Sequence, residues 1–176
     1  GGRAVFGSAS EASRELGVGW KVNPYLKVAP NSTVVLADYK GQGAIKHIWL
    51  TDCAYASRQL ILRIYFDGQK TPNVEAPVSD FFCNADYKEF RQMSSLAICL
   101  NPAKGMNCYF EMPYRKGFRM EIENQADVTC AVFYQLDCEE KEIPEDALYF
   151  HAQFRRTNPV PYKEVYTIVD NIKGRG

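Results

Sequence analysis

The chain has 176 residues with 21 basic and 21 acidic side chains, so its formal net charge is zero. That balance leaves no electrostatic footprint for nucleic acid or an anionic membrane, and no run of about 18 apolar residues is present to span a bilayer. The length suits one domain whose core folds without metal or disulfide staples.

Residues 1 to about 22 are Gly/Ser-rich and read as an N-terminal arm. One or two helical turns are expected over Ser8–Leu16, and Trp20 in the arm is placed to fold over a pocket or a neighbouring subunit. The start has neither an apolar signal core nor an initiator Met, which leaves open a removed export signal or a trimmed beginning. Strands are expected near Thr33–Asp38 and Ala44–Thr51. From Leu60 to Phe66, Leu60, Leu62, Ile64 and Phe66 alternate with Ile61, Arg63 and Tyr65, the period of two of a half-buried strand. A short helix is expected over Asp86–Met93, then strands near Leu96–Leu100 and Met106–Met112. Phe118, Met120 and Ile122 oppose Arg119, Glu121 and Glu123. Val128, Cys130, Val132, Tyr134 and Leu136 share a face, as do Leu148, Phe150, Ala152 and Phe154. A last strand is expected at Val165–Val169.

Turn chemistry separates these runs, at Ala29-Pro30-Asn31-Ser32, Gly41-Gln42-Gly43, Asp67-Gly68, Asn101-Pro102, Lys116-Gly117 and Glu123-Asn124. Half-buried strands need a second sheet over their apolar face. The expected fold class is therefore all-β: an antiparallel jelly-roll β-sandwich over residues 23–156, with about eight to ten strands and few helical turns. Residues 157–176 hold Asn158-Pro159-Val160-Pro161 and finish on Lys173-Gly174-Arg175-Gly176, which reads as a linker.

The six cysteines lie apart, without a CxxC pair, and there are two histidines, so no metal site is expected, and no cofactor. Several cysteines fall inside apolar runs and read as buried free thiols rather than a disulfide framework. That leans toward a reducing, cytoplasmic compartment, with a periplasmic one open if a signal was removed.

Three constellations carry possible chemistry. Asp67, Glu75 and Asp80 fall close together near turns, where carboxylates can grip sugar hydroxyls or act as acid and base. Asp67 fits a plain Asp-Gly hairpin turn. Glu75, hemmed by Val74, Ala76 and two prolines, needs a partner and reads equally as a site residue or a salt bridge. Tyr149, His151, Gln153 and Arg155 would form a polar row on one strand, fit either to read a polyhydroxylated ligand or to face solvent. Arg155 and Arg156 should point oppositely. His47 and Trp49 share a face opposite Ile48 and Leu50; Trp49 suits stacking on a sugar, with core packing the alternative. No nucleophile elbow or phosphate-binding loop is present.

Five stretches taken together resemble one bacterial family. Gly41-Gln42-Gly43-Ala44-Ile45-Lys46-His47-Ile48-Trp49-Leu50-Thr51 resembles its "GPGxIxHIWLT", and Leu62-Arg63-Ile64-Tyr65-Phe66-Asp67-Gly68 its "LRIYWDG". Val74-Glu75-Ala76-Pro77 with Asp80-Phe81-Phe82 resembles "VExPxxDFF". Tyr109-Phe110-Glu111-Met112-Pro113-Tyr114-Arg115-Lys116-Gly117 resembles "YFxMPFRKG", and Phe150-His151-Ala152-Gln153-Phe154-Arg155-Arg156 resembles "FHAQWRR". The family is domain of unknown function 2961, now glycoside hydrolase family 172, and the motifs run in order over about residues 17 to 176. The resemblance implies a double jelly roll that assembles as trimers or their multiples and acts on fructofuranosides and arabinofuranosides. It implies a catalytic glutamate pair in a second jelly roll, in motifs resembling "GEGDE" and "GTEDYF"; neither occurs here.

The chain thus reads as the first half of such a protein, with no catalytic residue of its own and the question of enzymatic activity open. Trp49, Glu75, Asp80, His151, Gln153 and Arg155 are the expected substrate-binding residues, and a furanoside-containing glycan and further copies of the chain the expected partners. A carbohydrate-binding module and a purely structural assembly domain are the alternatives. Phe66 and Phe154 stand where the family usually has Trp, Gln42 where it has Pro, and Thr157 where an acid precedes Asn-Pro. These departures bear on substrate identity more than on fold.

Overall fold

The computed structural model describes residues 25–52, 58–84 and 91–173. The expected helix at Ser8–Leu16, Trp20, Cys53 and residues 86–90 lie outside them. Two sheets face each other. The seven-stranded sheet runs β1 (Leu26–Val28), β11 (Cys130–Glu140), β3 (Gly43–Asp52), β8 (Met106–Cys108), β7 (Ile98–Leu100) and β6 (Met93–Ser94), with β9 (Met112–Tyr114) also paired to β3. The five-stranded sheet runs β12 (Ala152–Gln153), β5 (Val74–Pro77), β4 (Leu60–Phe66), β10 (Gly117–Asn124) and β2 (Ser32–Lys40). All pairs are antiparallel except β12 with β5. The chain changes sheet repeatedly, for example from β1 to β2, β2 to β3 and β9 to β10, which excludes a simple meander and suits the expected jelly-roll sandwich. The only helix among the described residues is one turn, α1 (Val78–Phe81), and none is long and apolar enough to cross a membrane.

The core is the sum of the inward halves of the alternating strands. Leu60, Leu62, Ile64 and Phe66 of β4 are fully buried while Ile61, Arg63 and Tyr65 face out. They meet Ile48 and Leu50 of β3, Cys130 and Val132 of β11, and Met120 and Ile122 of β10. In β3, Ile45 and Ile48 are both buried although three residues apart. A bulge at Lys46, where Cys138 pairs with Ile45 but Asp137 with His47, shifts the phase of the alternation by one.

Five expectations need correction. Met106–Met112 is not one strand: Cys108 pairs with Ile48 and Met112 with Ile45, so Tyr109–Glu111 bulge out between β8 and β9. Leu148–Phe154 contributes only Ala152–Gln153 to a sheet, because Tyr149 turns toward Asp67 instead of outward. Val165–Val169 forms no strand and is exposed. The end of the expected Asp86–Met93 helix is not helical, since Arg91 and Gln92 lie outside any element and Met93 opens β6. Val128 precedes β11 and is exposed, not part of its buried face. Cys83, Cys99, Cys108, Cys130 and Cys138 are free thiols, and burial pushes the Cys108 thiol up to about 11.

Candidate functional site

The outer face of the five-stranded sheet concentrates charge. In β5, Val74 and Ala76 enter the core, which leaves Glu75 outward. The register sets Gln153 beside Glu75, Glu75 beside Arg63, and Arg63 beside Glu121, in one row across four strands. Arg63 Nε donates to Glu75 Oε2 at 2.9 Å, and its Nη2 pairs with Glu123 Oε2 at 2.6 Å. Burial works against the Arg63 charge, but the two carboxylates outweigh it and hold the guanidinium protonated more firmly than usual. The Arg63 hydrogen bond in turn holds Glu123 below the ordinary carboxylate value, against some burial.

Beside this row lies an open cleft of about 320 Å³, lined among others by Arg58, Arg63, Glu75, Gln125, Phe154 and Arg156. Its amide, carboxylate and guanidinium groups surround an aromatic ring, a set that can bond hydroxyls and stack on a sugar face. Arg58 Cζ lies 5.6 Å over the Phe154 ring.

Asp80 plays a different part from Glu75. Both its oxygens take bonds from Arg58, Nε to Oδ2 at 3.0 Å and Nη2 to Oδ1 at 2.6 Å, and Ser79 Oγ adds a third. α1 places Asp80 just after β5, so it fixes the cation that lines the cleft and does not line it itself.

The expected polar row from Tyr149 to Arg155 is broken up. Tyr149 stacks on Phe66, with ring centroids 6.0 Å apart, donates its hydroxyl to Asp67 and lies under Arg115. Asp67 is more than a turn residue: its Oδ1 also accepts the backbone N–H groups of Arg115, Lys116 and Gly117. Burial raises its pKa, but these donors prevail and hold it below the ordinary value. His151 is exposed and outside any strand. Gln153 stays beside Glu75. Arg155 points to the chain's own continuation, bonding Ile168 O at 3.4 Å and Asp170 at 3.2 Å, while Arg156 lines the Glu75 cleft.

Trp49 lies on the other sheet. Ile48 and Leu50 enter the core, so Trp49 and His47 are half-buried on the outer face of the seven-stranded sheet. His47 stacks on Tyr109 at 4.5 Å, with Nδ1 2.8 Å from Asp137 Oδ2 and Nε2 3.1 Å from Asn107 Oδ1. The structure thus joins Glu75 and Gln153, puts Asp80 behind their cleft, turns Arg155 away and separates Trp49 by the thickness of the sandwich.

Arg58, Arg63 and Arg156 were not among the expected site residues. The signal for Arg63 was present, as the single cation on the outward half of a strand otherwise apolar. Among the described residues no three His, Cys, Asp or Glu side chains are grouped to hold a metal ion.

A family model described as the GH172 first beta-sandwich domain matches residues 17–166. No curated protein matches the chain. The two-sheet architecture and a match over most of the sequence agree, and the chain belongs to the GH172 family, whose first β-sandwich domain it carries.

Proposed function

We propose that this domain is the sugar-facing, non-catalytic first sandwich of a glycoside hydrolase that acts on furanoside-containing glycans. The observation that carries the reading is the Glu75–Arg63 pair at an open cleft that Gln125 also lines, with Gln153 next to Glu75 across the ladder. A carboxylate locked by a guanidinium keeps a lone pair for a sugar hydroxyl, and an adjacent amide offers both donor and acceptor. The catalytic glutamates of the family reading lie outside this chain, so this domain shapes a pocket wall and positions the ligand. The apolar, exposed Val165, Ile168, Val169 and Ile172 support a further role in contact with other copies or domains.

The test is calorimetric titration with fructofuranosyl and arabinofuranosyl oligosaccharides. Glu75→Gln and Gln153→Ala are expected to weaken binding about tenfold each, close to the loss of one good hydrogen bond. The chain alone is expected not to turn over aryl furanosides. Binding unaffected by both substitutions, or turnover abolished by Glu75→Gln, would overturn the proposal.

A further inference from the structure

A larger groove lies on the same outer face, toward the other end of β4. Its volume is about 710 Å³, within the range of ligand pockets of roughly 300–1,000 Å³. β2, β4, β10 and the turn after β4 line it. Two features of the floor are built in. Gly117 brings β10 close against the backbone of β2, where it pairs with Lys40, and leaves no room for a side chain. Its φ is +146°, and an added Cβ would meet Tyr39 O at 2.1 Å. Glu121 is nearly buried although it sits on an outward face, because Tyr65 Oη donates to one oxygen at 3.0 Å and Arg119 Nη2 lies 3.0 Å from the other. That carboxylate is paired with the Arg119 guanidinium, and it fixes the Tyr65 ring at the groove wall. Burial, and then the Glu121 bond, raise the pKa of the Tyr65 phenol.

The charge left unpaired at the rim is cationic by three groups to one. Lys40, Lys70 and Lys116 line the groove, and among the described residues their ammonium groups have no ion pair or hydrogen bond. Of the acids, Asp67 is occupied by three backbone N–H groups and Tyr149, and Glu121 by Tyr65 and Arg119; Asp38, opposite Arg119 in the ladder, is among the described residues the one carboxylate of the lining without an ion pair or hydrogen bond. A flat ring and three unpaired ammonium groups against one unpaired carboxylate suit a sugar that itself carries a negative charge.

We propose that this groove is a second saccharide site, which takes an acidic oligosaccharide with one sugar ring on Tyr65 and its carboxylate among Lys40, Lys70 and Lys116. The saccharide class rests on the glycan reading of the Glu75 cleft; the preference for an acidic one rests on the groove alone. Tyr65 and Arg63 are two residues apart on β4, about 7 Å along the strand, so one extended chain can reach from the groove to the cleft.

The experiment titrates the chain with a uronic-acid oligosaccharide and with a neutral oligosaccharide of equal length, following backbone amide signals by NMR. The acidic ligand is expected to shift the signals of Tyr65, Gly68 and Gly117, to bind at least about tenfold more tightly than the neutral one, and to weaken as salt is raised. A Lys40→Ala/Lys70→Ala/Lys116→Ala triple variant, confirmed folded by its spectrum, is expected to lose that preference. Equal affinity for the two ligands, shifts confined to residues outside the groove, or an acidic preference that survives the triple variant would each overturn the proposal. A negative result here with a positive furanoside titration at Glu75 removes this site alone, and the reverse removes the cleft alone.

Discussion

The hydroxyl of Tyr134 on β11 donates to the backbone carbonyl of Leu36 on β2 at 2.9 Å, tying one sheet to the other. Leu36 is the extra residue of a bulge. Met120 pairs with Ala37 and Glu121 with Val35, which leaves Leu36 without a cross-strand partner. Its side chain fills the core, and its carbonyl would be left unbonded without the tyrosine. Tyr134→Phe is expected to destabilise the fold by about 1–3 kcal/mol, the penalty of an unsatisfied buried acceptor. Urea denaturation reads this directly, and an unchanged midpoint would mean that the bond contributes nothing.

Asp67 links three parts of the chain: its own hairpin turn, the backbone of residues 115–117 and Tyr149. Asp67→Ala is expected to cost about 3 kcal/mol, since it strands several donors at once. The pH dependence has a definite sign. The folded pKa lies below the unfolded one, so the stabilisation is complete above about pH 5 and is lost as the pH falls through the lowered value. Asp67→Asn should flatten that acid-side loss, which denaturation midpoints measured at a series of pH values would reveal.

Two glycines separate strain from crowding. Gly117→Ala places a Cβ on a backbone oxygen and is expected to cost on the order of 3 kcal/mol or more, because the β2–β10 pairing must open. Gly68 has φ +76° and nothing within 4 Å of the added Cβ. Gly68→Ala should therefore cost only about 1 kcal/mol, the left-handed penalty by itself. Thermal unfolding of the pair would rank them, and equal losses would refute the distinction.

Asn124 is fully buried and stitches three segments together. Its Nδ2 donates to the carbonyls of Val28, Ala29 and Val128, and its Oδ1 accepts the N–H of Ala126. Asn124→Ala is expected to lose about 3 kcal/mol, and Asn124→Asp a similar amount, since a carboxylate cannot donate to three carbonyls. Chemical denaturation of both variants checks this; a stable Asp variant would contradict the assigned amide orientation.

The central strands were legible because their alternation is strong and uninterrupted. Leu60–Phe66 is a strand to the residue, and the outward set of Phe118–Glu123 is the one that builds the charged face. Leu148–Phe154 misled because its alternation is real but Asp67 and Arg115 capture Tyr149, a tertiary contact with no local signature. Val165–Val169 shows strand propensity without a ladder partner among the described residues, and propensity alone does not make a strand. Glu75 was legible as a carboxylate in need of a partner. That the partner is Arg63 follows only from the register of β4 against β5, which the intervening turn sets and composition does not.

The two outer surfaces differ in kind. One carries acids interlocked with guanidinium groups; the other carries His47 stacked on Tyr109, with Trp49, beside Lys46 and Lys141 paired to Glu111 and Glu139. A slab with unlike sides has a defined up and down: whatever it meets on one side is chemically the wrong match for the other. Flipping it over would exchange a wall of guanidinium-held carboxylates for one of stacked rings and lysine-held carboxylates, so a neighbour shaped to one side meets a different chemistry on the other.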